Sequence, residues 1–220
     1  MVIIDVDLQG RFTQPVWLDL LATFLYALVG ASRAIRKGYD LVGVVVLALV
    51  ASTGGGVLRD VLLQRGAPAV LHDVRFIITA FGAALLGVWL HRSLPRFRPL
   101  LDLVDSVSIG LYAVVGAQLT LLSGLGGLSA MLIGFLNAFG GGLLLAVLMR
   151  EEPEIFKPGL FYAVAVFVGL LAFVLLAVVF TVEANIAATV SIVTTATVRT
   201  LALRLGWSTH SVSGSKKLRL

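Results

Sequence analysis

The sequence predicts an all-α polytopic membrane protein with seven transmembrane helices: two inverted three-helix repeats plus a seventh helix. Three observations predict it. Of 220 residues, 59% are hydrophobic and 13% charged, against about 45–50% and about 25% in an ordinary soluble domain, which excludes a water-soluble globule. The apolar residues fall in blocks of about 20, each long enough as a helix to cross ~30 Å of hydrocarbon. The chain also matches itself at a shift of 86 residues.

Residues 1–15 carry two acids and no basic start, so they read as an extracytoplasmic N-terminal segment rather than a cleavable signal. Charged or Gly/Pro-rich punctuation then bounds spans at about 16–35, 40–63, 72–91, 101–122, 126–149, 159–180 and 183–204. The first repeat occupies 16–91, the second, inverted repeat 101–180, and the seventh helix 183–204, with a basic tail at 205–220. The seventh span lies outside the repeat and reads as a packing element. Seven spans put the termini on opposite sides. Alternation places Arg11, Arg59, Arg65 and Arg75 on the N-terminal side and the other 13 of the 17 basic residues on the C-terminal side, among them Arg33, Arg92, Arg96, Lys216, Lys217 and Arg219. Basic residues concentrate on the cytoplasmic face, so the C-terminus is expected inside and the N-terminus outside. The net charge of +5 belongs to loops beside apolar spans, which suits anionic lipid headgroups and not nucleic acid.

The 86-residue shift lays Leu25-Tyr26-Ala27-Leu28-Val29-Gly30-Ala31 on Leu111-Tyr112-Ala113-Val114-Val115-Gly116-Ala117. It also brings Asp19 onto Asp105, Gly38 onto Gly124, and Gly54-Gly55-Gly56 onto Gly140-Gly141-Gly142. Each copy holds three spans, so the second copy must enter the membrane from the opposite side, as in an inverted repeat.

Each triple glycine lies inside the middle span of its copy. Glycine costs ~1 kcal/mol per residue in a helix relative to alanine, which invites a kink or a local break. Freed carbonyls at membrane depth need water or a protein partner, so the expectation is that interrupted main chain at Gly54, Gly55, Gly56, Gly140, Gly141 and Gly142 borders a wet path. Close helix packing is the other reading of such glycines. Ser52, Thr53 and Asn137 are the polar neighbours that would line such a path. Arg59 and Asp60 follow the first triple within about one turn, and intramembrane ionisable residues are costly unless they face a bundle interior or water. They are candidates for a constriction or gate, or else a fixed internal salt bridge. Leu145 and Ala146 stand at the corresponding positions of the second copy. Asp19 and Asp105 begin their spans at opposite ends, where carboxylates would concentrate cations in a vestibule or complement a helix dipole. Tyr26 and Tyr112, one repeat apart, lie about two turns deeper and could line the path. Glu183 and Arg199 are expected at opposite ends of the seventh span, where snorkelling accommodates them.

Enzyme signatures are missing. His72, His91 and His210 have no metal-ligand spacing, cysteine is absent, and no GxSxG elbow or Walker loop occurs. No catalytic residue, metal or cofactor is expected.

Seven spans, a three-span inverted repeat and GGG in spans two and five together resemble the prokaryotic branch of the trimeric intracellular cation channel (TRIC) family. The run Thr53-Gly54-Gly55-Gly56-Val57-Leu58-Arg59-Asp60-Val61-Leu62-Leu63 is also similar to a related bacterial membrane-domain family described as glycine transporters. There the Gly-Gly-Gly-x-x-Arg-Asp pattern tends to recur in both halves, whereas here the second half reads Gly-Gly-Gly-Leu-Leu-Leu-Ala. The resemblance spans about residues 16 to 204. It implies a homotrimer in a prokaryotic inner (plasma) membrane, with a pore in each protomer bounded by kinked second and fifth spans. The implied activity is permeation of monovalent cations, chiefly potassium, with sodium as a second ion. Two alternatives stay open: a secondary transporter that holds the carboxylate of glycine or a similar small amino acid at half-helix N-termini, and a non-transporting membrane scaffold.

Overall fold

In a computed structural model, residues 16–91, 98–156 and 161–207 are described. The N-terminal segment with Arg11, the loop positions Arg92, Arg96 and Lys157, and the tail with His210, Lys216, Lys217 and Arg219 lie outside them. Among the described residues there is no strand. The helices are α1 (Val16–Arg36), α2 (Leu41–Leu62), a single turn α3 (Ala69–His72), α4 (Val74–Trp89), α5 (Arg98–Leu122), α6 (Gly127–Leu148), α7 (Tyr162–Val174) and α8 (Ala184–Leu205). A π-helical turn at Leu175–Val179 extends α7. Among the described residues, six helices are long and apolar enough to cross a membrane, and α4 is a shorter apolar one of 16 residues.

Local chemistry explains the boundaries. Asp19 in the first turn of α1, and Arg33 and Arg36 in its last, match the helix dipole. Gly38, at φ +80°, ends α1 with a Schellman pattern, in which Gly38 N–H donates to the Ile35 carbonyl and Tyr39 N–H to that of Ala34. Gly124 (φ +77°) repeats it at the end of α5, with Leu125 N–H donating to Thr120. The Asp40 carboxylate caps α2 by accepting from Gly43 N–H at 2.8 Å. The equivalent cap on α6 is Gly126, without a side chain to contribute.

The four helices α1, α2, α5 and α6 form the centre: α6 lies against both α2 and α5, and α1 against α2 and α5. The outer helices are arranged unevenly. α1 packs on α4, whereas among the outer helices α5 packs chiefly on α8, and α7 packs on α8 and also on α6 and α5. The core is rich in alanine, including Ala22, Ala27, Ala31, Ala48, Ala51, Ala113 and Ala117. Small residues let helix backbones approach closely where lipid supplies no hydrophobic drive between helices.

Candidate functional site

The triple glycines do not interrupt their helices. α2 stays α-helical from Leu41 to Leu62 and α6 from Gly127 to Leu148, which corrects the expected break. The reason is energetic. Three glycines cost about 3 kcal/mol of helix propensity, whereas each carbonyl freed in hydrocarbon costs several kcal/mol.

The glycines instead let α2 and α6 cross at backbone contact. A Cβ on Gly54 would lie 3.2 Å from Gly141 Cα and 2.7 Å from Leu144 Cδ1. One on Gly140 would lie 3.0 Å from Gly55 Cα and 2.7 Å from Leu58 Cδ1. Gly55 abuts the Asn137 carbonyl as Gly141 abuts that of Ala51, and Gly30 meets Ala51 Cβ as Gly116 meets Asn137 Cβ. In each pair the second contact joins the residues 86 positions away from those of the first. The third glycines differ: Gly56 lines a cleft, and the hydrogen side of Gly142 faces the Tyr26 hydroxyl.

That cleft holds about 260 Å³ of empty space, its open mouth included. Its polar lining is Asp19 and Thr23 of α1, Ser52, Thr53, Arg59 and Asp60 of α2, and Tyr112 of α5. Gly56, Val57, Phe76, and Ala69 and Val70 of α3 complete the wall. Asp19 does not stand free in a vestibule; it is 4% exposed. Arg59, 2% exposed, donates from Nη1 to Asp19 Oδ2 at 3.3 Å and from Nε to Asp60 Oδ1 at 2.8 Å. Asp60 Oδ2 accepts from Ala69 N–H at 2.9 Å, which fixes α3 over the site. Buried charges persist only when paired and hydrogen-bonded, and here two carboxylates share one guanidinium. The group retains a formal charge of −1.

The tyrosines meet at the centre. Tyr26 and Tyr112 rings sit edge to face with centroids 5.5 Å apart. Tyr112 O–H donates to the Ser52 carbonyl and lies 3.3 Å from Thr23 Oγ1. Asn137 Nδ2 donates to the Tyr112 carbonyl at 2.6 Å, while its Oδ1 is buried without a hydrogen-bond partner. Ser52 and Thr53 hydroxyls both turn back to the Leu49 carbonyl.

Asp105, too, is buried, at 8% exposure, rather than open to a vestibule. Its Oδ2 lies 3.8 Å from Arg199 Nη2, and the Arg199 guanidinium stacks over the Tyr162 ring at 3.8 Å. Arg199 therefore does not snorkel, and α8 is more than a packing element: it supplies a buried cation to the second repeat. At the same end Arg33 pairs with Glu154 (2.9 Å) and Lys37 with Glu151 (2.9 Å). Sequence reasoning missed Thr23, Tyr162 and this role of Arg199. The available signal for Arg199 was an ionisable residue inside an apolar span. Among the described residues, no group of three or more His, Cys, Asp or Glu could hold a metal ion.

A family profile described as "Glycine transporter" matches residues 16–92 and again residues 102–178. The chain belongs to this family. The two matches to the glycine transporter profile begin 86 residues apart, the shift at which the chain matches itself. The UPF0126 membrane protein of Deinococcus radiodurans is 38% identical over 166 residues, covering 75% of this chain and 77% of its own. The UPF0126 inner membrane protein YadS of Escherichia coli (strain K12) is 30% identical over 190 residues, covering 86% and 91%. Among solved structures, the TRIC trimeric intracellular cation channel orthologue from Rhodobacter sphaeroides matches with a TM-score of 0.81 at 28% identity, covering 87% of this chain and 98% of that one. This glycine transporter family member thus shares its fold with the TRIC cation channels.

Proposed function

We propose that the protein is a monovalent cation channel of the inner membrane, with potassium as its principal ion and sodium as a second. It works as a homotrimer with one path in each protomer, and its two repeats are inverted about an axis in the membrane plane. The observation that carries this reading is a cleft lined by two buried carboxylates and one guanidinium, formally −1 with both carboxylates ionised, on a fold shared with TRIC cation channels. A negative, low-dielectric cleft raises the local concentration of cations and repels anions. The path runs from the Arg59 cleft between α1, α2, α5 and α6, past Tyr26 and Tyr112, toward Asp105. Side chains line it: Thr23, Ser52, Thr53, Tyr112 and, beyond the crossing, Asn137 and Tyr26. Gly54, Gly55, Gly140 and Gly141 act as the tight pivot of the wall, Gly56 leaves room on the cleft side, and Gly142 admits the Tyr26 hydroxyl on the other. Arg59 and Asp60 set the constriction at the cleft floor.

The test is single-channel recording of purified protein in planar bilayers under a potassium chloride gradient. The expected result is steady unitary current whose reversal potential lies toward the potassium equilibrium value. Anion selectivity, or silence at every voltage, overturns the proposal.

The family's description favours a second reading, exchange of glycine or another small amino acid. Unbroken α2 and α6 offer no mid-membrane helix N-termini for a substrate carboxylate, which weighs against that binding mode. Counterflow of labelled glycine in loaded proteoliposomes would establish it. The scaffold reading needs a protein that passes neither ions nor glycine in these two assays.

A further inference from the structure

Five charged side chains are buried among the described residues, and they form two groups. Asp19, Arg59 and Asp60 make one; Asp105 and Arg199 make the other. The groups occupy opposite ends of α1, since Asp19 is in its first turn and Arg33, whose charge acts on Asp105, is in its last. Two carboxylates with one guanidinium leave −1 at the Arg59 end, while one of each cancels at the Arg199 end. Arg33 is itself neutralised by Glu154, and exposed Asp102 is screened by solvent.

The imbalance has a source in the chain. Asp19 and Asp105 correspond across the repeat, but the position matching Arg59 is Leu145, so the second repeat has no arginine of its own there. α8, outside the repeat, packs on α5 and provides one.

We infer that Arg199 is a charge-setting residue: by cancelling Asp105 it confines cation attraction to the Arg59 end and makes cation flow unequal in the two directions. This rests on the channel reading above. One uncompensated charge acting through water at about 10 Å changes the local cation concentration by about twofold.

The experiment records single channels of the full-length protein in symmetric potassium chloride. Its readout is the ratio of larger to smaller current at equal and opposite voltages, which does not depend on the direction of insertion. The wild-type ratio is expected near ~2. Arg199→Gln leaves −1 at both ends, so the ratio falls toward 1. Asp105→Asn leaves a positive charge at the Arg199 end, so the ratio rises by about the same factor. The double variant D105N/R199Q and the charge-conserving R199K both keep the wild-type ratio. If R199Q fails to assemble, the contrast between D105N and the double variant decides the matter. A ratio that R199Q or D105N leaves unchanged, or that both shift in one direction, overturns the role of Arg199. Absence of any wild-type current overturns the channel reading instead.

Discussion

Gly141 sits so close to the Ala51 carbonyl that a Cβ in its place would fall well inside 3.0 Å of that oxygen. The same holds for Gly55 and the Asn137 carbonyl. Because the obstacle is backbone, no rotamer change relieves it, and α2 and α6 must move apart.

Gly55→Ala and Gly141→Ala are therefore each expected to destabilise the protein by about 1–3 kcal/mol, the cost of overpacking. Gly82→Ala in α4, where nothing lies within 4 Å, is expected to be neutral or to gain up to ~1 kcal/mol. Thermal unfolding in detergent ranks the three. Equal midpoints for G55A, G141A and G82A would remove the backbone-contact explanation.

Arg59→Gln strands two buried carboxylates. Breaking a buried pair by removing one partner costs about 3–5 kcal/mol, so this variant is expected to lose much of its stability. Adding Asp19→Asn should restore part of the loss, because one stranded charge disappears. A double variant no better than R59Q in the same melting assay would show that Arg59 does not act through Asp19.

Tyr112→Phe deletes the hydrogen bond to the Ser52 carbonyl and leaves the ring beside Tyr26. The expected stability cost is about 0.5–1.5 kcal/mol, with unchanged ion selectivity in single-channel records. An unchanged melting midpoint would count against the hydroxyl as a stabilising donor.

Asp73, at the start of α4, gives the clearest pH dependence. Hydrogen bonds from the Arg75 guanidinium, then from its backbone N–H, hold the Asp73 carboxyl below its ordinary value of 3.8. A depressed folded-state value means that the stabilisation is present above about pH 4 and is lost as pH falls through the folded value. The gap in melting temperature between wild type and Asp73→Asn should therefore be open at neutral pH and close in acid. A gap independent of pH would exclude the carboxylate charge as its cause.

The long apolar helices were legible because hydropathy and helix length are local properties, and the 86-residue shift lays Gly38 on Gly124, although it does not reveal the turns that they make. The fate of the triple glycines was not legible. Helix propensity is judged against water, whereas at membrane depth the cost of an unpaired carbonyl keeps Gly54–Gly56 helical. The pairing of Arg199 with Asp105 was missed for a different reason. A comparison of the two repeats ignores α8, and its contact with Asp105 joins residues far apart in the chain. Thr23 lies one turn beyond Asp19, yet its place in the cleft depends on how α1 rotates against α5.

The brevity of α4 extends the argument into the surrounding lipid. Its 16 residues make about 24 Å of helix, about 6 Å less than a typical hydrocarbon core. Ile78, Phe81 and Trp89 are exposed along it, so for α4 to cross as a span, acyl chains at this strip would have to compress or the helix to shift. Such mismatch costs fractions of a kcal/mol per Å. Bilayers of shorter-chain lipid relieve it, and a second copy laid along the same strip would reduce the rim of distorted lipid. For a helix this short, membrane thickness becomes a variable in how readily the bilayer accommodates it.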